Sequence, residues 1–168
     1  MKRILIIGSG GAGKSTLARR LGEKMGIEVV HLDKLFWKPG WVPTAKDEWR
    51  GIVRQALEND SWIIDGNFGG TLEMRVRACD TIIFLDLPRY ICIYRILKRW
   101  ALYRKKTRSD MAPGCDEKMD LEFFIWVWSY PTRSKPEKEL VLERYGDEKT
   151  IIRLRSNREI EEFLEKSF

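Results

Sequence analysis

An α/β fold, a five-stranded parallel sheet with helices on both faces, is what this 168-residue sequence predicts. Three observations predict it. Short, wholly apolar runs alternate along the chain with segments whose apolar residues recur at helical spacing. The first run, Arg3–Ile7, shows no apolar–polar alternation, as a strand buried on both faces requires. The repeated order strand, loop, helix, strand calls for right-handed crossovers, which lay helices over a parallel sheet.

The elements follow in chain order. Arg3–Ile7 is the first strand, bounded by glycine. Lys14–Met25 reads as a helix, with Leu17, Ala18, Leu21 and Met25 on one stripe and Gly26 as its stop. Ile27–Leu32 is a second strand. Residues 44–59 form a helix capped at or near Thr44, burying Trp49, Ile52, Val53, Ala56 and Leu57. Ser61–Ile64 and Thr81–Leu87 are further strands, the latter the most apolar. Arg89–Tyr103 is a basic amphipathic helix. Leu121–Trp128, Lys135–Tyr145 and Arg158–Lys166 are helical, and Thr150–Arg155 is the last strand. Residues 33–43, with three aromatics, two prolines and a glycine, read as an ordered loop. Residues 104–120, polar with Pro113 and Gly114, read as a mobile one.

Composition bounds the function. Apolar residues make up 43% and charged residues 33%, a globular profile. The apolar runs are strand-sized, far short of the roughly 20 residues of a membrane span. The N-terminal run of four apolar residues leads straight into a glycine loop and does not read as a leader, so the expected location is the cytoplasm. Without repeat, low-complexity tract or linker, residues 1–168 read as one domain. Cys79, Cys92 and Cys115 are scattered and form no CxxC pair, which argues against zinc and disulfides; Cys79 and Cys92 sit among apolar residues. The net charge of +6 favours polyanionic partners. It is concentrated: from Arg89 to Arg108 there are eight Lys or Arg and no acid.

The most specific motif is Gly8-Ser9-Gly10-Gly11-Ala12-Gly13-Lys14-Ser15, followed by Thr16, an intact phosphate loop placed between a strand and a helix. Glycines let the backbone curl so that its amides meet phosphate oxygens, and the helix that follows adds its positive end. Gly8, Gly10, Gly11, Ala12, Gly13, Lys14, Ser15 and Thr16 are therefore expected to hold ATP. Lys14 is expected to reach the β- and γ-phosphates as a catalytic residue, with the Ser15 hydroxyl on magnesium.

Other residues address what happens to the nucleotide. Asp33, directly after the second strand, is placed to accept a proton from a substrate hydroxyl, or else to cap a turn. Asp65, after the third strand, suits a second magnesium contact; with Gly66 and Asn67 it either meets substrate or closes a plain turn. Arg95 and Arg99 share a helix face, where like charges repel unless an anion sits between them. With Arg133, and with Arg104 and Arg108 in the following loop, they are candidates to neutralise transferring phosphate. Trp37, Trp41, Trp49 and Phe36 either stack a flat substrate or pack under their loop.

These strings, with His31-Leu32-Asp33-Lys34-Leu35-Phe36-Trp37, Trp62-Ile63-Ile64-Asp65-Gly66-Asn67-Phe68-Gly69-Gly70-Thr71, Ile82-Ile83-Phe84-Leu85-Asp86-Leu87-Pro88 and Lys106-Thr107-Arg108-Ser109-Asp110-Met111, carry a resemblance. The chain resembles the nucleoside-monophosphate-kinase branch of phosphate-loop (P-loop NTPase) proteins. More narrowly, it is similar to bacterial DNA topology modulation (FlaR-type) proteins and adenylate-kinase-related kinases. The resemblance implies a kinase core, a substrate-binding segment at 33–60, a lid at about 100–120, and phosphoryl transfer from ATP with Mg2+ to a small-molecule or nucleotide acceptor, at a hydroxyl or a phosphate. The proline and arginine that follow Asp-Gly-Phe in adenylate kinases are missing after Asp65-Gly66-Asn67-Phe68. A zinc-bearing lid is excluded with Cys115 alone there. His31 stands where shikimate-kinase-like relatives have a carboxylate, while Asp33 matches their substrate-contacting one.

A second reading makes the chain a nucleotide-dependent DNA-binding regulator, with residues 89–108 on backbone phosphates. No DNA-reading module is visible in the sequence. A lid accounts for the same arginines without a second function, and a monomer suffices for it.

Overall fold

The computed structural model describes residues 1–166. Its central sheet is built from β1 (Arg3–Gly8), β2 (Val29–His31), β5 (Trp62–Asp65), β6 (Thr81–Leu85) and β7 (Thr150–Leu154). All pairings in this sheet are parallel, in the order β2-β5-β1-β6-β7. The other elements are α1 (Lys14–Met25), α2 (Leu32–Phe36), the two-residue strands β3 (Trp37–Lys38) and β4 (Val42–Pro43), α3 (Lys46–Ala56), α4 (Leu72–Ala78), α5 (Arg89–Tyr103), α6 (Leu121–Arg133), α7 (Lys135–Tyr145) and α8 (Asn157–Lys166).

The pleat explains why the strands are apolar throughout. Successive side chains point to opposite faces. Ile4, Ile6, Ile63, Ile83 and Leu85 therefore pack with Leu17, Leu21, Cys92, Ile96, Val127 and Ile160 from α1, α5, α6 and α8. Leu5, Ile7, Ile64, Ile82 and Phe84 meet Trp49, Val53, Val76 and Leu142 from α3, α4 and α7 on the other face. The three cysteines are free and buried. No helix among the described residues is long and apolar enough to cross a membrane.

Several boundaries differ from the sequence reading. β1 and β5 run one residue further, to Gly8 and Asp65, whereas β6 stops at Leu85, where Asp86 N turns to donate to Leu154 O. Thr44 does not cap α3; its amide and hydroxyl both donate to Phe36 O, tying off the stretch that contains the β3–β4 hairpin. α6 continues past Trp128 through Pro131, because Val127 and Tyr130 are buried there and Ser129 and Thr132 hydroxyls donate to carbonyls of that turn. α4, with the 3-10 turn Gly69–Thr71 before it, is an element the sequence reading left unassigned, although Leu72, Val76 and Cys79 are spaced for it. The 33–43 loop is a short helix followed by a hairpin. The 104–120 segment does not hang free: Gly40 N donates to Gly114 O and Trp41 Nε1 to Asp116 O. Met111, Ala112 and Cys115 form a small apolar cluster with Trp37 and Trp41.

Candidate functional site

The central strand β1 ends where the phosphate loop begins, at the carboxyl edge of the sheet, where parallel α/β folds bind ligands. Gly11 and Gly13 have φ of 74° and 96°, a left-handed backbone that an L side chain strains to adopt. At Gly11 space forbids one as well. A Cβ on Gly13 would lie 3.2 Å from Arg95 Nη1, and one on Gly11 would run into the Cys92 carbonyl of α5. Gly13 caps α1 with no side-chain hydrogen bond, so the first amides of that helix face the cleft unclaimed by a cap.

Lys14 Nζ donates to Gly8 O at 3.1 Å and Ser9 O at 2.9 Å, curled over the loop it belongs to. Burial holds its ammonium below the ordinary lysine range, against the pull of Asp33 and Asp65. Beneath it, Ser15 Oγ donates to Asp65 Oδ2 and His31 Nδ1 meets Asp65 Oδ1, both at 2.6 Å. Asp65 is only 4% exposed. Burial works against a charge on His31, but the Asp65 hydrogen bond and the Asp65 and Asp110 charges outweigh it, raising the imidazole above its usual pKa.

Asp33 sits in the first turn of α2, on the cleft wall and reachable by water. The surrounding protein pushes its carboxyl above the usual range, Lys14 and Arg108 pull it down, and Asp65 and Asp110 push it up again.

The cleft encloses about 1040 Å³. Gly10 to Thr16 form its floor; Asp33, Trp37, Trp41, Asn67 and Phe68 line it from α2, the hairpin and the loop after β5; Arg95, Arg99 and Arg108 line it from α5 and beyond. Among the aromatics, Trp49 is buried against Phe36 and Phe68, whereas Trp37 and Trp41, with ring centroids 5.6 Å apart, line the cleft and also pack on Met111, Ala112 and Cys115.

Other predicted residues are placed differently. Gly8 and Gly66 lie behind the lining: a Cβ on Gly8 would come 2.5 Å from Leu85 O, and one on Gly66 2.8 Å from Leu32 Cβ. Both glycines serve packing, and neither lines the cleft. Asn67 both lines the cleft and accepts the Gly8 amide at 3.4 Å. Arg95 braces the phosphate loop, donating to Ala12 O at 2.8 Å and to Asn157. Arg133 does not join the others. It is exposed at the last turn of α6, about 10 Å along the axis from the cleft-lining Trp126, and is absent from the lining among the described residues. Arg104 is likewise exposed, beside the Trp100 ring.

Three residues escaped the sequence reading. Glu117, 8% exposed, takes Arg99 Nε on one oxygen and Arg108 Nε on the other, both at 2.9 Å. Asp110 accepts Arg108 Nη1 at 2.8 Å. Arg75, fully buried, donates to the carbonyls of Gly66, Asn67, Phe68 and Thr71 and so shapes the loop after β5. Burial pushes its guanidinium down to about 9. The acids that follow an all-basic stretch were the available signal for the first two; for Arg75 it was a cation on the apolar stripe of α4.

The curled loop, a free helix start and Lys14 fit a polyphosphate. Ser15 and Asp65 fit a magnesium ion whose other ligands are phosphate oxygens and water. No group of three or more His, Cys, Asp or Glu among the described residues forms an all-protein metal cage.

A family model described as an AAA domain matches residues 4–113. A search of the curated proteins finds no match. Among solved structures, deoxyadenosine kinase from M. mycoides with bound dATP is similar over 99% of each chain, at 18% identity and a TM-score of 0.55. Shikimate kinase from Bacteroides thetaiotaomicron is similar over 99% of this chain and 96% of its own, at 17% identity and a TM-score of 0.56. At these identities the likeness shows a shared fold, that of the phosphate-loop kinases.

Proposed function

We propose, from the premise that this chain belongs to the AAA-domain family over residues 4–113, that it is an ATP-dependent phosphotransferase. One observation carries the reading. Asp33 faces the phosphate loop across the cleft from Lys14, while Ser15 and Asp65 are joined at 2.6 Å beneath it. Binding groups for a triphosphate and a proton acceptor thus share one enclosed space.

In this reading the loop amides and Lys14 hold the β- and γ-phosphates. An acceptor hydroxyl oxygen bonds to the γ-phosphorus as the bond to the β–γ bridging oxygen breaks. That electron pair leaves with ADP, and the hydroxyl proton passes to a carboxylate oxygen of Asp33. Magnesium, when bound at Ser15 and Asp65, neutralises charge on the phosphate oxygens. Residues 33–60 bind the acceptor and residues of about 100–120 act as the lid, with Arg99 and Arg108 over the transferring group. The raised pKa of Asp33 suits a base, since proton uptake is easier for a carboxylate held above its usual range.

The DNA-binding alternative draws on fewer cations than the basic stretch holds: of the eight Lys and Arg between Arg89 and Arg108, Arg95, Arg99 and Arg108 line the cleft and are taken up by protein partners, while Arg89, Lys98, Arg104, Lys105 and Lys106 are exposed. Calorimetric titration with Mg·ATP, followed by ADP formation with a panel of hydroxyl and phosphate acceptors, tests the proposal. Heat on titration and acceptor-dependent ADP are expected. Absence of ATP binding, or an ADP rate that no acceptor raises above background, would sink it.

A further inference from the structure

We infer that Glu117 is the positioning residue for Arg99 and Arg108, holding both guanidinium groups by their Nε atoms so that open Nη atoms meet the γ-phosphate. The inference rests on the phosphotransfer reading and deepens it, because it says what places the two cations of that site.

Two arginines brought to one anion repel each other until the anion arrives. Arg99 comes from α5 and Arg108 from the lid segment, and both line the cleft with Glu117. Burial, and then the Arg108 charge, hold Arg99 below the ordinary arginine range, and Glu117 draws it back. The Glu117 carboxylate receives Arg99 Nε on one oxygen and Arg108 Nε on the other, both at 2.9 Å. Each guanidinium is thus gripped on the side nearest its stem. Among the described residues no hydrogen bond or ion pair takes either Nη of Arg99. Arg108 gives Nη1 to Asp110 at 2.8 Å and keeps Nη2 open. Open Nη groups are what phosphate oxygens pair with.

Glu117 can serve as a fixed point because it is itself fixed. It is buried, and its amide donates to Lys106 O at 3.0 Å. Its neighbour Asp116 accepts the Thr107 hydroxyl on its side chain and Trp41 Nε1 on its carbonyl. The carboxylate therefore ties α5 to the lid segment and, through Asp116, to the β3–β4 hairpin. The charges it holds act where transfer would take place. Burial lowers Lys14 and the Arg99 charge adds to that, while burial raises Asp33 and the Arg108 charge counters it. Arg99 is felt at the donor end of the cleft and Arg108 at the acceptor end.

The test uses the full chain with magnesium. ADP and the β,γ-imido analogue of ATP are titrated calorimetrically into the parent and into Glu117→Gln. Glutamine keeps the volume but offers one acceptor oxygen and an N–H₂ group, so one Nε loses its partner. The parent is expected to bind the analogue more tightly than ADP. In Glu117→Gln that preference is expected to fall by about fivefold or more, the effect of one misplaced hydrogen-bonding group, with ADP affinity kept within about threefold. A carboxylate that merely offset charge would act with the opposite sign, since its loss would tighten binding of the more anionic analogue. A preference that is absent in the parent, or that is kept or rises in the variant, overturns the inference. So does a rise in ATP turnover, which release of an inhibitory latch would give. In an Arg99→Met, Arg108→Met background, Glu117→Gln is expected to change the preference by less than about twofold. A further fall of about fivefold there would show that Glu117 acts without the arginines, and would overturn the inference. Acceptor-dependent ADP formation by the parent reports on phosphotransfer, and the ratio of the two affinities reports on Glu117, so the two fail separately.

Discussion

Ser15 Oγ donates a 2.6 Å hydrogen bond to Asp65 Oδ2, joining the first turn of α1 to the end of β5. Fifty residues of chain separate them. The contact exists because β5 lies next to β1 in the sheet, with Ile6 opposite Asp65. Asp65→Asn keeps the shape but removes the charge that a magnesium ion and Ser15 share. Magnesium affinity in the presence of ATP, followed by titration, is expected to fall about 10–100-fold, the range seen when a group supporting a metal ligand is lost. Unchanged affinity would remove Asp65 from the metal site.

Lys14→Ala should cut ATP turnover by about 100-fold or more, since its ammonium meets charge that develops in the transition state. Circular dichroism should be unaltered, because Lys14 touches only Gly8 and Ser9 carbonyls. Cys115→Ser acts through stability. Cys115 is 1% exposed, and its thiol meets Lys38 O at 3.3 Å under the hairpin. A hydroxyl placed in that apolar cluster should lower stability by about 1 kcal/mol in urea titration, with kcat kept within about threefold because no cleft contact is lost. A kcat loss matching that of Lys14→Ala would contradict the site.

Asp33→Asn separates stability from function. A carboxyl whose folded pKa is raised binds its proton more tightly in the folded state than in the unfolded one. Its charge therefore opposes folding in full above the folded pKa, and that opposition fades as pH falls through the folded pKa and is gone below the unfolded one. The neutral amide should raise the melting temperature at pH 7 and flatten its acid dependence, while acceptor-dependent ADP formation is lost. In the parent protein the acid limb of activity should lie above the usual carboxylate range. A lower melting temperature with activity intact would refute both roles.

Arg75→Met should be the most damaging of these changes. It orphans the carbonyls of Gly66, Asn67, Phe68 and Thr71 at once. Unmade hydrogen bonds of buried backbone make a loss of about 3 kcal/mol the expectation from urea unfolding. Arg75→Lys should rescue little, because an ammonium cannot reproduce the planar fork. Full rescue by lysine would show that charge alone matters there.

What could be read before folding follows the reach of each interaction. The strands were visible because both sheet faces are covered, so Ile4 through Ile7 had to be apolar in succession. α4 was missed because a glycine pair lies in the turn just before it, which weakens a helical signal, and because Arg75 interrupts its apolar stripe with a charge. Arg133 was over-read, since an arginine near other arginines in sequence need not share their cleft. Arg99 and Arg108 were found, but not that Glu117 holds both.

By itself the sequence determined the phosphate loop. Eight consecutive residues there supply the backbone freedom, the lysine and the hydroxyl that the loop needs, and all of it is local. Tertiary structure decided everything that depends on charge balance across the cleft. Whether an arginine is open to a ligand or already paired depends on carboxylates brought from 9 and 18 residues away, as Glu117 is to Arg108 and Arg99. Coulomb energy depends on distance through space, and the order of residues along the chain does not state that distance.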